Sequence, residues 1–292
     1  MSEEVSLSDY QYPTEPTWCP GCGDFAILRS VKASLTDLGL APHESLIVTG
    51  IGCGSKLPHY MNVNGFHSVH GRPVAVATGA KMANPDTNVV VTAGDGDSYG
   101  IGGNHFLHAC RRNIGITQIV EDNRVYGLTK GQYSPTSHKG FVTKTSPEGA
   151  IEPPVRPVPT ALTSGATFIA RAFSGQVKQM TEIFSRAMGH EGYALVDVLQ
   201  PCVTFNPGRS YDFYNDVIYD IDDEYDPTDR EAAKEKAKEW GDRIPLGVIY
   251  KEDRPTYEEQ VPALSEGPIV NRSLDPEERS GVDLEELKRE FI

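Results

Sequence analysis

The sequence predicts an α/β protein with a mostly parallel sheet flanked by helices. Three buried strands are predicted at residues 46–48, 88–92 and 116–120, and helical patterns lie between and after them. Strands that alternate with helices pair as parallel neighbours, with helices covering both faces of the sheet. The chain of 292 residues is long enough for one large domain of this kind.

The remaining elements are predicted from apolar patterns in chain order. A helix over residues 23–39 has its apolar residues on one face and ends at Gly39, which suits a helix C-terminus. Residues 74–82 begin a second helix, and residues 101–113 form a third. One more β-α-β unit consists of a strand at 167–170, a helix at 175–189 and a strand at 193–199.

Composition divides the chain into a domain over residues 1–205 and a C-terminal extension over residues 206–292. The extension has charged helical patterns near 228–240 and 283–291 but no core pattern of its own. We expect an irregular tail that packs on the domain or on a partner chain. Residues 127–160 are rich in Gly, Pro, Ser and Thr, and a loop of that length is usually functional or lies at an interface.

Charge and composition exclude several classes of function. The formal net charge of −14 argues against a nucleic-acid partner, because phosphate binding needs clustered Lys and Arg. No apolar run reaches the roughly 18 residues that a membrane span requires, and the N-terminus shows no secretory signal. We therefore expect a cytoplasmic protein, whose five cysteines are metal ligands or free thiols rather than disulfides.

Two polar loops at predicted strand ends indicate a bound diphosphate. Asp95 lies in a Gly-Asp-Gly-Asp segment after one strand, and Asn123 follows the next strand. Ligands of open α/β sheets bind beyond the carboxyl ends of the strands. Magnesium prefers oxygen ligands, which the Asp95 carboxylate, the Asn123 amide and the Val125 carbonyl would supply together with phosphate oxygens. Gly94 and Gly96 allow the backbone to approach a phosphate.

A Gly-Asp-Gly and a later Asn, each at a strand end, are typical of thiamine-diphosphate enzymes. The pattern therefore predicts a thiamine-diphosphate-binding fold in which Mg²⁺ holds the cofactor. The alternative is a pair of ordinary turns that close two strands, and the helix predicted after the first turn disfavours it. A dinucleotide site fits poorly, because neither Gly50–Gly54 nor Gly94–Gly100 spells the G-x-G-x-x-G fingerprint.

Four of the five cysteines form a second candidate site. Cys19 and Cys22 are a C-x-x-C pair, Cys53 lies in a glycine-rich loop, and Cys202 follows the last strand of the predicted domain. Four thiolates suit a zinc ion or a [4Fe–4S] cluster. The cysteines alone leave a cluster, zinc and buried thiols open, and a redox C-x-x-C is a further alternative.

The positions of Cys53 and Cys202 favour the cluster. Both follow predicted strands, so both are expected near the edge of the sheet that carries the Gly-Asp-Gly segment. An electron acceptor beside thiamine diphosphate is what the oxidative decarboxylation of a 2-oxoacid requires. Cys110 lies inside a predicted helix and is interpreted as a small core residue.

Several segments resemble the β subunit of the 2-oxoacid:ferredoxin oxidoreductases, and the resemblance is closest to the 2-oxoglutarate branch of that family. It covers roughly residues 15–210. The segments are Trp18-Cys19-Pro20-Gly21-Cys22-Gly23, Ile51-Gly52-Cys53, His70-Gly71-Arg72-Pro73, Gly94-Asp95-Gly96-Asp97, Tyr126-Gly127-Leu128-Thr129-Lys130-Gly131-Gln132 and Gln200-Pro201-Cys202.

The resemblance implies a role for most of these residues. The ligands of one [4Fe–4S] cluster would be Cys19, Cys22, Cys53 and Cys202. The ligands of magnesium would be Asp95, Asn123 and the Val125 carbonyl. The residues in contact with thiamine diphosphate would be Ile51, Gly52, Cys53, Gly54, Ser55, His70, Gly96, Asp97, Gly127 and Leu128. Without the resemblance, His70 would be interpreted as an ordinary turn histidine.

The resemblance also implies an activity and partners. The family decarboxylates a 2-oxoacid oxidatively with coenzyme A, producing an acyl-CoA and CO2, and passes electrons through a cluster to ferredoxin. An α subunit with the pyrimidine-binding half of the site would supply the activating glutamate, in a heterodimer or an (αβ)2 assembly. Larger relatives carry a cysteine-rich ferredoxin-like segment that this sequence lacks, so its electrons would leave the single cluster directly to an external carrier or pass to another chain.

Three alternatives remain open at this point. A pyruvate or indolepyruvate enzyme of the same family would differ in its substrate. A non-redox thiamine-dependent lyase or synthase subunit would keep the diphosphate motif without needing four cysteines. A zinc-stabilised regulatory subunit would use the cysteines without catalysis.

Lys56 and Lys130 are candidates for substrate selection and, with His70, complete the predicted catalytic residues. Lys56 follows the cofactor loop at residues 51–55, and Lys130 lies beside the diphosphate loop. 2-Oxoglutarate carries a distal carboxylate that pyruvate lacks, and a lysine facing it would form a charge-assisted hydrogen bond. Either lysine would otherwise be an ordinary solvated side chain.

Overall fold

The computed structural model describes residues 5–273, 275, 278 and 283–291. Within these residues the chain forms ten strands and eight α-helices, together with short 3-10 helices. The strands are β1 Ser45–Thr49, β2 Asn64–His67, β3 Asn88–Gly94, β4 Thr117–Asp122, β5 Val125–Tyr126, β6 Gln132–Tyr133, β7 Phe168–Phe173, β8 Ala194–Leu199, β9 Ile218–Asp220 and β10 Ile244–Lys251. The helices are α1 Asp24–Asp37, α2 Pro73–Ala83, α3 Gly103–Arg112, α4 Pro157–Ser164, α5 Val177–Met188, α6 Tyr211–Val217, α7 Arg230–Lys238 and α8 Leu284–Arg289.

Eight of the described strands form one sheet in the order β2-β1-β3-β4-β8-β7-β10-β9. Neighbours from β2 to β7 in this order run parallel, while β10 runs antiparallel to β7 and parallel to β9. The strands β5 and β6 form a separate hairpin. The predicted mostly parallel sheet is therefore confirmed.

Helices cover both faces of this sheet. On one face α1 packs against α5, and on the other α3 packs against α2 and α4, while α4 contacts α7. Neighbouring strand residues alternate between the two cores, since Val90 belongs to the first while Val89 and Val91 belong to the second. This alternation is what a sheet buried on both faces requires. None of the described helices is both long and apolar enough to cross a membrane.

The register brings the ends of β1, β3 and β4 to one edge of the sheet. Thr49 in β1 lies opposite Thr92 in β3, and Gly94 at the end of β3 lies opposite Glu121 in β4. Because the strands are parallel, the loops that follow them leave the sheet at the same edge. The loops predicted to bind the cofactor and magnesium therefore lie side by side.

The C-terminal extension is less irregular than the sequence predicts. Residues Ile244–Lys251 form β10, which is mostly buried and pairs with β7 inside the sheet. Pro245 and Gly247 interrupt the apolar run of this strand, and a register shift in its pairing with β7 disturbs it further. Such interruptions hide a strand from pattern analysis. The division of the chain at residue 205 stays a prediction.

Candidate active site

A cavity of about 100 Å³ lies at the carboxyl edge of the sheet. Most of the predicted cofactor and magnesium residues line it, namely Ile51, Gly52, Cys53, Gly54, His70, Asp95, Gly96, Asp97, Asn123, Val125, Gly127 and Leu128. Ser55 is the exception, because it is buried behind the loop and does not line the cavity. Tyr126 and Thr129 line the cavity without having been predicted, although both stand in a segment that carries the family resemblance.

Asp97 holds two neighbouring loops in place. Its Oδ1 accepts hydrogen bonds from the backbone N–H of Ile51 at 3.1 Å and of Gly71 at 2.8 Å, and it contacts His70 Nδ1. A Cβ at position 50 would lie 1.9 Å from Asp97 Oδ2, so Gly50 is required for this approach. With Nδ1 engaged by Asp97, His70 keeps Nε2 as its remaining ring nitrogen.

Two buried carboxyl groups, those of Asp95 and Asp122, share the hydroxyl of Thr136. Thr136 Oγ1 contacts Asp95 Oδ2 and lies 2.7 Å from Asp122 Oδ1. Burial raises the pKa of Asp95 to about 7, and the Asp122 carboxylate adds to the rise. Burial also raises the pKa of Asp122, against the effect of the Arg124 guanidinium. A divalent cation beside Asp95 would offset the repulsion between these carboxylates.

The turn after β4 carries the other two predicted magnesium ligands. Arg124 adopts the left-handed region, with φ 61°, between Asn123 and Val125. Asn123 Oδ1 accepts a hydrogen bond from the Val125 N–H at 3.1 Å and keeps a second lone pair for a metal. Arg124 Nε donates to the Thr136 carbonyl at 2.8 Å. Because the Thr136 hydroxyl also contacts Asp95, one residue holds the turn and the carboxylate together.

The donor set at Asp95, Asn123 and Val125 suits a cation that arrives with its own oxygen ligands. Among the described residues, no group of three or more His, Cys, Asp or Glu side chains is arranged to hold a metal ion alone. One carboxylate, one amide and one carbonyl leave the rest of an octahedral shell to phosphate and water. The residues present therefore fit magnesium bound together with a diphosphate.

Three of the four predicted cluster ligands lie near one wall of the cavity. Cys53 lines the cavity, and a Cβ at Gly127 would lie 3.5 Å from Cys53 Sγ and 3.8 Å from Cys202 Sγ. Cys22 Sγ accepts a hydrogen bond from Gln200 Nε2 at 3.3 Å. Gln200 stands two residues before Cys202, so the structure brings these thiols to the same region.

The two remaining cysteines differ in their surroundings. Cys19 is exposed, and its carbonyl accepts a hydrogen bond from the Cys22 N–H at 3.0 Å, so the C-x-x-C pair forms a turn. Cys110 is fully buried in α3, within the core that also contains Phe106 and Tyr193. The assignment of four cysteines to a cluster stays a prediction, and Cys110 has the core environment expected for it.

A buried pair of carboxyl groups, which the sequence analysis missed, lies beside these cysteines. Asp24 begins α1, Glu121 lies in β4, and each is 1% exposed. Burial and the Asp24 charge raise the pKa of Glu121 well above its usual range, and burial raises the pKa of Asp24 to about 6. Burial raises the pKa of the Cys22, Cys53 and Cys202 thiols, and Asp24 adds to each rise. Their thiolates therefore need a positively charged metal centre.

Lys56 and Lys130 lie outside the cavity. Lys56 lies on the side of the cysteines, where its charge lowers the pKa of Asp24 and its Nζ is 3.5 Å from Thr17 Oγ1. Lys130 is exposed, has φ 78° and lines a separate groove next to the cavity. Substrate selection by either lysine stays a prediction.

Two family models match the chain. The C-terminal TPP-binding domain of the thiamine pyrophosphate enzymes matches residues 50–198. The C-terminal part of the pyruvate ferredoxin oxidoreductase beta subunit matches residues 202–266. The cavity lies within the first match, and most of the extension lies within the second.

Curated relatives agree with these matches. Subunit beta of 2-oxoacid:ferredoxin oxidoreductase 1 from Aeropyrum pernix is 45% identical over 267 residues, which cover 87% of this chain and 84% of the relative. The 2-oxoglutarate synthase subunit KorB of Methanocaldococcus jannaschii is 40% identical over 188 residues, which cover 64% of this chain and 70% of the relative.

A solved structure matches almost the whole chain. It is the 2-oxoglutarate:ferredoxin oxidoreductase of Magnetococcus marinus with 2-oxoglutarate, coenzyme A and succinyl-CoA bound, with a TM-score of 0.88, 40% identity and 94% coverage of both chains. The fold and the family resemblance predicted from the sequence are thereby confirmed. The chain belongs to the β subunits of the 2-oxoacid:ferredoxin oxidoreductases, and so to a thiamine-dependent family of oxidoreductases.

Proposed function

We propose that this chain is the β subunit of a 2-oxoglutarate:ferredoxin oxidoreductase. With a partner subunit it would decarboxylate 2-oxoglutarate oxidatively, transfer the acyl group to coenzyme A and pass electrons through one [4Fe–4S] cluster to ferredoxin. The observation that carries the proposal is the wall that the cavity shares with the cysteines. Cys53 lines the cavity, and Gly127 lies beside both Cys53 and Cys202. An electron acceptor at this wall would be in direct reach of the cofactor.

In the same cavity, Mg²⁺ would be bound by Asp95, Asn123 and the Val125 carbonyl, and would hold the diphosphate of the cofactor. Thiamine diphosphate, when bound, supplies the electron sink for the decarboxylation. Asp97 orients His70 at the cavity, and His70 Nε2 would exchange a proton or a hydrogen bond with the substrate. The protein thus contributes positioning and electrostatics.

The cluster would be bound by Cys19, Cys22, Cys53 and Cys202. A [4Fe–4S] cluster carries its thiolates on separate irons, so its ligands need not converge on one point as zinc ligands do. Iron at this site would replace the protons that these buried thiols otherwise keep.

Exposed apolar residues at the rim of the cavity favour the presence of a partner subunit. Ile51 and Leu128 line the cavity with 38% and 44% of their surface exposed, and Val69 beside His70 is 69% exposed. Ile101 packs on the loop at residue 71 and is also exposed. Clustered apolar exposure is typical of an interaction site. An α subunit covering this rim would supply the activating glutamate, in a heterodimer or an (αβ)2 assembly, and the cytoplasmic location stays a prediction.

Selection of 2-oxoglutarate would depend on Lys56 or Lys130. In the purified complex with the α subunit, Lys130→Ala or Lys56→Ala should lower kcat/KM for 2-oxoglutarate roughly tenfold more than for pyruvate, because a charge-assisted hydrogen bond is lost. The exposed Lys139→Ala serves as the matched control. Equal slowing of both substrates would remove the two lysines from substrate selection, and a wild-type preference for pyruvate would assign the chain to the pyruvate branch.

Metal analysis distinguishes the proposed function from the two alternatives without redox chemistry, namely a non-redox thiamine-dependent subunit and a zinc-stabilised regulatory subunit. Iron with acid-labile sulfide, together with bound thiamine diphosphate, is the expected result. Thiamine diphosphate without iron would indicate a non-redox lyase or synthase subunit. Zinc in place of iron would indicate a structural or regulatory role for the cysteines.

A further inference from the structure

Gln200 is a buried side chain whose amide faces the sulfur of Cys22. Its Nε2 donates a hydrogen bond to Cys22 Sγ at 3.3 Å, and the residue is 1% exposed. Gln200 follows β8 directly and stands two residues before Cys202. One short segment therefore carries a proposed cluster ligand, Cys202, and a donor to the sulfur of another, Cys22.

The backbone around Gln200 is fixed at the end of the sheet. The Gln200 N–H donates to the Asp122 carbonyl at 3.2 Å, and the Ser174 N–H donates to the Leu199 carbonyl at 3.1 Å. These hydrogen bonds continue the pairing of β8 with β4 and with β7. The sheet thus sets the position from which the amide reaches Cys22.

The residue after Cys22 is a glycine, and the contact depends on it. A Cβ at Gly23 would lie 2.7 Å from Gln200 Cγ and 2.6 Å from Ser174 Oγ. Any other residue at this position would force the C-x-x-C turn away from Gln200, because both neighbours are buried. Gly23 therefore allows the sulfur of Cys22 to lie against the amide.

Packing alone does not account for a glutamine at this position. Gln200 Oε1 is buried and has no hydrogen-bond partner among the described residues, which costs free energy. An apolar side chain of the same length would fill the space without that cost. A thiolate sulfur accepts hydrogen bonds and cannot donate one, so a metal-bound Cys22 would require the Nε2 end of the amide.

The surroundings of this sulfur disfavour negative charge. Burial raises the pKa of the Cys22 thiol, and the Asp24 charge raises it further. Reduction of an iron–sulfur cluster adds one electron, and part of that charge resides on the sulfurs. Hydrogen bonds to the sulfurs stabilise the added charge and are one of the features that set the potential of a cluster.

We infer that Gln200 is a positioning residue for the proposed cluster, whose amide N–H acts through the Cys22 sulfur to raise the reduction potential. The positive end of the N–H dipole points at the sulfur, so it favours the state with one more electron. No proton is transferred in this step. The inference rests on the proposed function, because it requires a [4Fe–4S] cluster bound to Cys22.

The test is a redox titration of the purified complex with the α subunit, in which dithionite supplies one electron per cluster and EPR follows the reduction. Gln200→Met removes the donor at similar volume. We expect a three- to tenfold shift of the equilibrium toward the oxidised cluster, which lowers the midpoint potential by about 30–60 mV for a one-electron couple. Gln200→Glu keeps the shape of the side chain without the N–H donors and should lower the potential at least as far.

Gln118→Met is the matched control. Gln118 is buried near the start of β4, and its Oε1 accepts a hydrogen bond from the Tyr193 hydroxyl at 2.6 Å rather than facing a proposed ligand. This variant removes a buried amide as Gln200→Met does. It should lower the melting temperature of the complex and leave the potential unchanged.

Three outcomes would overturn the inference. The first is a wild-type potential in the Gln200 variants, and the second is an equal fall in Gln118→Met. The third is loss of iron from both Gln200 variants, which would assign Gln200 to holding the ligands; if only one loses iron, the potential of the other decides. Iron and acid-labile sulfide in the wild-type complex test the proposed function separately, because their absence refutes the cluster itself.

Discussion

The two walls of the cavity differ in how their polar groups are satisfied. We call Asp95, Asn123 and Val125 the metal side, and Cys22, Cys53 and Cys202 the cysteine side. On the metal side, hydrogen bonds through Thr136 and within the turn after β4 already join the ligands. On the cysteine side, both oxygens of the buried Asp24 carboxyl group and Oε1 of Glu121 have no hydrogen-bond partner among the described residues.

This difference indicates that the metal side is organised by the protein, whereas the cysteine side is completed by the group that it binds. A buried polar group without a partner costs about 1–3 kcal/mol, so a site left in that condition gains stability when it is filled. Loss of the bound group should therefore affect the protein more strongly on the cysteine side. The following predictions test this asymmetry.

The largest effect is expected from substitution of the cysteines beside Gly127. Cys53→Ser and Cys202→Ser should each abolish most of the iron content and lower the melting temperature of the complex, because a thiolate ligand of the cluster is lost. Iron analysis and calorimetry provide the readouts. Cys110→Ser, in the core of α3, should keep its iron, and iron loss of similar size in that variant would refute the ligand assignment.

The metal side should lose its cofactor without losing its fold. Asp95→Ala removes the one charged magnesium ligand, and we expect the affinity for Mg²⁺ and thiamine diphosphate to fall at least about 100-fold while iron content stays normal. Equilibrium dialysis against both ligands measures the effect. Asp86→Ala, at an exposed position, is the control. Normal thiamine diphosphate content in Asp95→Ala would show that the cation binds elsewhere.

Packing on the cysteine side is tight enough to test with one methyl group. A Cβ at Gly54 would lie 1.4 Å from Oε2 of Glu121, and the Glu121 side chain is buried. Gly54→Ala should therefore destabilise the protein by about 1–3 kcal/mol in urea unfolding. Gly79→Ala, with no atom within 4 Å in α2, should instead gain about 0.5–1 kcal/mol. Equal effects at both positions would contradict the described packing.

The smallest effect concerns the link between the extension and the metal side. The Trp240 ring centroid lies 5.1 Å from Arg124 Cζ and 5.0 Å from Arg171 Cζ, and Arg124 separates two magnesium ligands. Trp240→Leu removes cation–π contacts worth about 0.5–1 kcal/mol each, so Mg²⁺ affinity should fall about two- to fivefold. The Mg²⁺ affinity of Trp240→Phe should fall less. Wild-type Mg²⁺ affinity in Trp240→Leu would show that the extension does not support the turn after β4.

The difference between the walls also explains what could be predicted from the sequence. The metal side consists of Gly-Asp-Gly and a later Asn at the ends of β3 and β4, and both strands are short apolar runs that pattern analysis detects. Position at a parallel sheet edge then follows from topology. For this reason most of the cavity lining was predicted, although Ser55 does not line the cavity and Tyr126 and Thr129 were not predicted.

What the sequence could not predict depends on pairs far apart in the chain. Asp24 of α1 meets Glu121 of β4, and Trp240 lies over Arg124, only in the folded chain. No local pattern carries either contact, since each needs the folded arrangement. Helix α4, Pro157–Ser164, begins inside the stretch 127–160 that was predicted to be a loop. Its prolines and small residues weaken the helical pattern, so the sequence did not predict this helix.

The central claim is that thiamine diphosphate and the cluster act across one shared wall at Cys53 and Gly127. The most direct test follows the visible absorbance of the anaerobic wild-type complex when 2-oxoglutarate is added without coenzyme A, and repeats the experiment with Asp95→Ala. The wild-type cluster should bleach, whereas the Asp95→Ala cluster should bleach only with dithionite, because its cofactor is missing. Bleaching of both by 2-oxoglutarate, or of neither, would contradict the account.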